Sequence, residues 1–441
     1  MTNSDSVEMG IVTKYIQALF RRENALFLVL LVLRYLRLIV NITGWLIYTP
    51  SPIPARPTLR RADCTVVVPT VDPRGAGFLE CVQSILRNQA GVLIIITVGR
   101  AREADARNQI KAFRARYPGT TIITTSIDEA NKRKQVAAGL GLVQTSIVVL
   151  ADDSVTWPSL NFLPSAIAPF EDPRTGAVAT NKHVRRFYTP INSLRSLRTS
   201  FFGFLGCTYL ARHNFEIRAT NAIDGGVFVI SGRTALYRSA ILKDPRFLKR
   251  YLDEHFLFGR FGPMNVDDNN FLTRWVVRNG WNIKVQYTPD SEIETVVGEY
   301  PRFLQQLQRW TRTTWRSNSA SLFTDRTVWL RQPWCVYAVY LTSLVNFALF
   351  YDASLLLTLY YTTTFGHSGY ALALMAMFSL GSKTIKLITH FVRHPRDVFF
   401  FPLYVGFTYY HTFVKLYALC TFYDHRWTGR NLDAVQKSVK D

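Results

Sequence analysis

The chain has 441 residues, of which 48% are hydrophobic and 14% aromatic, which excludes both a single small module and an intrinsically disordered chain. Lys and Arg number 52 against 31 Asp and Glu, a formal charge of +21 at pH 7, so nucleic acid, an anionic membrane and a phosphorylated substrate are all admissible partners. This much apolar content beside this much basic charge is odd for a soluble nucleic-acid binder and natural for a membrane enzyme with basic loops.

Residues 25–48, ALFLVLLVLRYLRLIVNITGWLIY, form an apolar run of the ~20 residues that a spanning helix needs. Arg34 and Arg37 interrupt it, and a charge at the centre of such a helix costs roughly 2.5–3.5 kcal/mol unless it faces protein or reaches the interface. CTVVVPTVD at 64–72 is a β-branched run stopped by proline and reads as a buried parallel strand. A helix near 78–88, a strand at 92–99, a helix at 101–117, a strand at 120–125, a helix at 130–142 and a strand at 146–154 follow. That alternation predicts a doubly wound α/β sheet, whose ligands bind beyond the carboxyl ends of the strands. Neither GxGxxG nor GxxxxGK[ST] occurs, which argues against a dinucleotide fold and a P-loop ATPase.

Farther along, 265–281 forms an amphipathic helix with Phe271, Leu272, Trp275 and Val276 on one face. The stretch 301–317 sets Phe303, Trp310 and Trp315 among Arg302, Arg309, Arg312 and Arg316, the composition of an interfacial helix. Apolar segments at about 334–360, 370–391 and 398–422 close the chain. The expected organisation is an N-terminal tail (1–24), a transmembrane helix (25–48), a catalytic domain (60–294), amphipathic interfacial helices (295–325), a C-terminal membrane cluster of about three segments (334–422) and a tail (423–441). The basic loop VRHPRD between the last two segments predicts a cytoplasmic catalytic domain. The basic tail (Arg426, Arg430, Lys437, Lys440) conflicts with three full crossings, so the last segment, which contains His411 and Lys415, is expected to be re-entrant or interfacial.

The five cysteines, Cys64, Cys81, Cys207, Cys335 and Cys420, contain no CxxC pair, and the eight histidines no HExxH. The cysteines read as reduced rather than as a disulfide frame or a zinc site, and any metal is expected on carboxylates and phosphates. Asp72 and the pair Asp152 and Asp153 stand at strand ends; taken singly each reads as a turn or cap residue, and their joint placement on one sheet points to hard oxygen donors for a cation beside a diphosphate. Asp267 and Asp268 stand at the mouth of the 265–281 helix; one acid suffices as a cap, and the second invites a general-base role.

PTVD (69–72), LADDS, NVDDNNFLTRW and Gln306-Leu307-Gln308-Arg309-Trp310, a QxxRW match, come in this order along the chain. In that series the chain resembles membrane-embedded family 2 glycosyltransferases, the group of hyaluronan, cellulose and chitin synthases, and more narrowly the fungal capsule-polysaccharide-type enzymes associated with hyphal growth. The resemblance covers roughly residues 60–320 plus the membrane layout. It implies a GT-A-like catalytic domain and a divalent cation, Mg or Mn. It also implies a nucleotide-diphosphate sugar donor, UDP-linked by the family pattern, and an acceptor in a growing cell-wall or extracellular polysaccharide at the plasma membrane. Membrane lipids are the other expected partner, and nucleic acid drops from the list. By position, Asp72 resembles the aspartate that meets the nucleoside, and Lys132 and Arg133 the Lys-Arg pair near the donor diphosphate. Asp153 corresponds to the metal-binding aspartate with Asp152 beside it, although the first acid of the family's DxD falls on Ala151. Asp268, with Asp267 before it, resembles the general base. Gln306, Arg309 and Trp310 take the phosphate-contacting and acceptor-stacking places, and SGRTALYR (231–238) resembles the turn at the acceptor side. Transfer of one sugar to a lipid, as in ceramide glucosyltransferases, is the rival enzyme reading; a non-catalytic membrane scaffold is the rival from another class.

Overall fold

The computed structural model describes residues 22–188, 190–363, 365–426 and 432–440. The expected N-terminal tail lies outside the described residues except for a short turn at Arg22–Asn24, as does Arg430 of the C-terminal tail.

Four strands, β1 (Cys64–Pro69), β2 (Val92–Val98), β3 (Thr121–Ile127) and β4 (Ile147–Ala151), are all parallel and lie in the order β3-β2-β1-β4. The side-chain period of two explains why their sequences are apolar throughout. Val66 and Val68 of β1 enter one core layer and Val67 the other; Leu93 and Ile95 of β2 oppose Ile94 and Ile96 in the same way. Each such buried Val or Ile stabilises the fold by roughly 1.5–3 kcal/mol relative to exposure.

The sheet continues as β8-β6-β9, with β6 at Thr175–Thr180, β8 at Thr234–Arg238 and β9 at Asn282–Gln286. Here the structure departs from a wholly parallel sheet: β8 runs antiparallel to both β4 and β6, while β6 and β9 are parallel. A small second sheet, β5 (Val155–Thr156), β10 (Ile293–Thr295) and β7 (Lys182–Val184), covers the segment after β4.

Helices α1 (Ala25–Ile47), α2 (Ala76–Arg87), α3 (Arg100–Gln109), α4 (Lys132–Gly141), α5 (Leu194–Asp224), α6 (Asp268–Arg278) and α7 (Arg302–Ser319) follow in chain order. Beyond them lie α8 (Pro333–Val345), α9 (Ala348–Tyr360), α10 (Gly369–Arg393), α11 (Phe401–Cys420) and α12 (Leu432–Lys440). Helix α4 lies close on the sheet because residue 139 is glycine: a Cβ there would sit 2.7 Å from Val67. Helix α1 is fixed to the α/β domain as well as being apolar. A Cβ on Gly44 would stand 2.6 Å from the Ala219 carbonyl of α5. Tyr48 donates to the Val285 carbonyl at 2.7 Å, and Arg218 lies over the Trp45 ring at 4.3 Å.

Two described helices are long and apolar enough to cross a membrane, α1 and α10, with a third span if α8 and α9, bent by 94°, count as one. Helix α11 is not among them; it packs along α7. Part of the expected C-terminal tail is ordered structure. Gln436 of α12 accepts from the Ala130 N–H at 2.7 Å and donates to the Asp128 carbonyl at 2.9 Å. That helix therefore rests on the loop between β3 and α4.

Candidate active site

Beyond the carboxyl ends of β1 and β4 opens a cavity of about 1540 Å3. Asp72, Lys132, Asp152, Asp153, Asp268 and Arg309 all face it, with Asp267, Gln306 and Trp310. Residues spread over more than two hundred positions are brought together by the sheet order. β1 and β4 are neighbours, α4 begins beside their ends, and α6 and α7 close the far wall.

Asp72 occupies the turn after β1, its N–H donated to Thr70 Oγ1 at 3.2 Å. The same Thr70 hydroxyl donates to Asp153 Oδ2 at 2.6 Å, which fixes that buried carboxylate at the end of β4. Asp152 lines the same cavity and meets a different partner. Lys132, the first residue of α4, donates to Asp152 Oδ1 at 2.9 Å and lies 3.1 Å from Asp268 Oδ2. Burial alone would lower the Lys132 pKa, but Asp152 and Asp268 outweigh it and raise it above the ordinary lysine value. Asn131 caps α4 by accepting from the N–H groups of Arg133 and Lys134, and so sets the first turn from which Lys132 projects.

Arg133 is the correction to the expected Lys-Arg pair. One residue along the helix, it points away from the cavity and is 1% exposed. Its guanidinium donates to the Tyr251 and Val266 carbonyls at 2.8 and 2.6 Å and to Glu254 at 2.6 Å, and it stacks on Tyr251. It ties α4 to the 245–266 segment instead of meeting a diphosphate.

The two acids at the mouth of α6 also separate. Asp267 has φ +62° and makes no capping bond to its helix. Its carboxylate accepts from Arg316 Nε at 2.7 Å and Thr313 Oγ1 at 2.6 Å, both on α7. Burial would raise its carboxyl, but Arg316 and Thr313 hold it below the usual value. Asp267 is therefore occupied as a brace, and the cap and base roles considered for it do not fit. Asp268, 5% exposed, faces the cavity through its contact with Lys132. Residue 232 is glycine beside it because a Cβ there would stand 2.2 Å from the Asn269 side chain.

On α7, Gln306 accepts from the Gly298 N–H at 3.2 Å. Arg309 is a desolvated cation whose pKa burial lowers against the pull of Asp267, Asp268 and Asp152. Trp310 stacks on Tyr209 with ring centroids 4.8 Å apart, and Arg233 lies 5.7 Å from its ring.

Sequence reasoning missed two participants. Lys182, buried, sits 3.0 Å from His213 Nδ1; burial and the charge of Arg233 push its pKa down to about 7. His213 is driven well below its usual value by burial, Lys182 and Arg233. Arg233 had a signal, its place in the SGRTALYR turn, whereas Lys182 and His213 are thirty-one positions apart and carry no motif.

Asp152 and Asp153 present two hard donors at the cavity, and no His, Cys, Asp or Glu completes a group of three with them among the described residues. Two such carboxylates would suit a hard divalent cation, Mg or Mn, which would supply positive charge beside a diphosphate. The residues present therefore fit the implied cation.

A mixed sheet of this order, with acids gathered beyond β1 and β4 and an Arg-Trp helix opposite them, is an α/β fold with its site at the carboxyl ends of the strands. Residues 62–313 match the family described as glycosyltransferase like family 2, and the chain belongs to that family. A protein of Gibberella zeae named type 2 glycosyltransferase is 39% identical over 92% of this chain and 75% of its own length. One of the same name from Pyricularia oryzae is 37% identical over 94% of this chain and 84% of its own. An NDP-glycosyltransferase of Aspergillus luteorubrus is 31% identical over 61% of this chain and 64% of its own. Among solved structures, a mannosyltransferase from Pyrobaculum calidifontis in complex with GDP-Man and Mn2+ covers 85% of this chain and 99% of its own, at 16% identity and a TM-score of 0.49.

Proposed function

We propose that this glycosyltransferase is an integral membrane enzyme that moves a sugar, with inversion, from a nucleotide-diphosphate donor to an acceptor hydroxyl. The carrying observation is the placement of Lys132 Nζ between Asp152 and Asp268, at 2.9 and 3.1 Å. It sets the acid on the donor side and the acid on the acceptor side within one lysine's reach, in a single cavity.

Asp268 takes the proton of the attacking hydroxyl while that oxygen forms its bond to the anomeric carbon. The bond from that carbon to the donor diphosphate breaks, and the nucleotide diphosphate leaves with the electron pair. One displacement inverts the centre and needs no second nucleophile. Asp152 and Asp153 are the residues that would hold a Mg or Mn ion, which supplies charge against the leaving diphosphate. Lys132 and Arg309 act on the same charge from the protein side. Asp72 is assigned to the nucleoside. Gln306 orders the segment before α7, and the Trp310–Tyr209 stack offers a flat surface to the acceptor sugar.

A nucleotide-linked donor is supported by the name of the Aspergillus relative; UDP is the donor nucleotide we assign. The apolar helices α1 and α10 support a membrane location, with the catalytic domain cytoplasmic and the plasma membrane as the site. The acceptor we assign is a growing polysaccharide, presented from the helical side of the cavity. One observation favours a second acceptor reading, a glycolipid: the cavity runs on between the helices, where it is lined by charge.

The test is to incubate the detergent-solubilised chain and Mn with UDP-sugars and GDP-mannose, and to measure nucleotide diphosphate release. One donor should turn over, and removal of Mn by chelation should stop it. Release that is unchanged by Asp268→Asn would refute the assigned base, and no release from any donor would favour a non-catalytic scaffold.

A further inference from the structure

The cavity does not end at Trp310. It continues between the helices, where Arg34, Arg37, Arg212, Lys383, Lys386 and Lys415 line it. Two carboxylates answer them. Arg34 and Lys383 share Asp352 at 2.5 and 2.7 Å, and Lys386 pairs with Glu216 at 2.5 Å. Arg37 and Lys415 donate to the backbone carbonyls of Ala338 and Asn346 at 3.3 and 2.7 Å. The chamber thus holds an excess of four positive charges among the described residues.

Positive charge in excess among apolar helices is costly, because each ion has lost its water and the two acids cannot neutralise the set. An anion entering the chamber removes that cost. Its form follows from where the charge lies. Arg34 and Arg37 are one turn apart on α1, Lys383 and Lys386 one turn apart on α10, and Arg212 stands one turn from Glu216 on α5. Cation pairs packed into single turns of α1 and α10, with Arg212 of α5 close enough to act on Lys386, match a compact polyanion. A polysaccharide with one acid every few sugars would spread its charge along a path instead. The outer face of α1 beside the chamber is apolar and open, with Leu33, Leu36 and Ile39 between 44% and 60% exposed.

We infer that the chamber binds the phosphate or diphosphate group of a lipid-linked acceptor, held by Arg212, Lys386 and Arg37, with its hydrocarbon chain against the helices and its sugar hydroxyl reaching Asp268. This rests on the glycosyltransferase reading above and takes up its second acceptor reading, the glycolipid, in place of the polysaccharide. The transfer step is the same: the hydroxyl proton goes to Asp268 and the nucleotide diphosphate leaves. The lipid phosphate is a handle and is not consumed.

The test uses the full chain in neutral detergent and measures binding by thermal shift and by displacement of a fluorescent lipid phosphate. The probes are geranylgeranyl phosphate, its neutral alcohol geranylgeraniol, inorganic diphosphate and a hyaluronan oligosaccharide. Geranylgeranyl phosphate should bind at least about tenfold more tightly than the alcohol and than inorganic diphosphate. Lys386→Gln and Arg212→Gln should each weaken the phosphate about tenfold and leave the weak alcohol binding where it was. Equal affinity for phosphate and alcohol in the wild-type chain overturns the inference without recourse to any variant. Equal binding of inorganic diphosphate removes the lipid from it, and tight binding of the oligosaccharide alone replaces the lipid phosphate with an acidic polysaccharide. Mn-dependent binding of UDP or GDP is measured on the same wild-type sample. Its absence would overturn the donor site, while its presence with a silent lipid phosphate would overturn only the chamber.

Discussion

Asp267 and Arg316 face each other across the junction of α6 and α7 at 2.7 Å, with side chains 7% and 3% exposed. The pair holds the QxxRW helix against the turn that carries Asp268. Removing one member leaves the other charged and buried, which costs about 3–5 kcal/mol. Asp267→Asn should therefore lower the free energy of unfolding by that amount at neutral pH. The folded carboxyl titrates below its unfolded value, so its stabilising contribution is complete above the unfolded pKa and is lost as pH falls through the folded one. Denaturation curves from pH 7 into the acid range should show wild type converging on Asp267→Asn; a constant gap would refute the pairing.

Asp268→Asn, one residue on, should behave oppositely. The substitution keeps shape and removes the proton acceptor, so transfer should fall by roughly a hundred- to ten-thousandfold, the usual weight of a general base. Nucleotide diphosphate release and the melting temperature, read on one preparation, check this. A variant that is active, or one that is merely unfolded, contradicts the assignment.

Arg133→Met separates structural from donor-binding roles. The guanidinium is buried on Glu254 and two carbonyls, so stability should drop by about 3–5 kcal/mol. In the fraction that remains folded, the KM for donor should stay within about twofold, because no lost contact reaches the cavity. A large KM effect with full stability would return Arg133 to the diphosphate.

Lys182 gives a signature on the alkaline side. Its folded pKa, about 7, lies below the model-peptide value of 10.5. Between those values the unfolded chain binds the extra proton, so the stability of wild type should rise with pH across the window. Lys182→Met should flatten that slope, as urea denaturation at several pH values between 7 and 10 would show. An unchanged slope would mean that the ammonium stays charged in the folded chain.

The parallel half of the sheet was legible because strands buried on both faces read as unbroken apolar runs, as CTVVVP and VLIIITV do. The antiparallel β8 was not. It arrives after the 31-residue α5, and nothing in TALYR encodes the direction from which the chain returns. The acids of the site were legible as strand-end and helix-mouth residues. Which of two neighbours faces the cavity was not, because one step along a helix turns a side chain by about 100°. That rotation separates Lys132 from Arg133. Asp267 and Asp268 part for another reason, the left-handed backbone of Asp267 just before α6. Lys182 and His213 meet only through the packing of α5 on β7, a contact between distant segments without a local signature.

The way α1 is seated bears on how this enzyme can be handled. Asn41 accepts from the Trp334 indole at 2.9 Å, Tyr48 bonds both the Val285 carbonyl and the Tyr287 N–H, and Trp45 lies under Arg218. The first helix, one of two described helices long and apolar enough to cross a membrane, is thus also a wall of the α/β domain. Trimming it to obtain a shorter fragment would strip β9 and α5 of their cover, so the smallest piece that keeps its shape includes that helix together with its exposed apolar face.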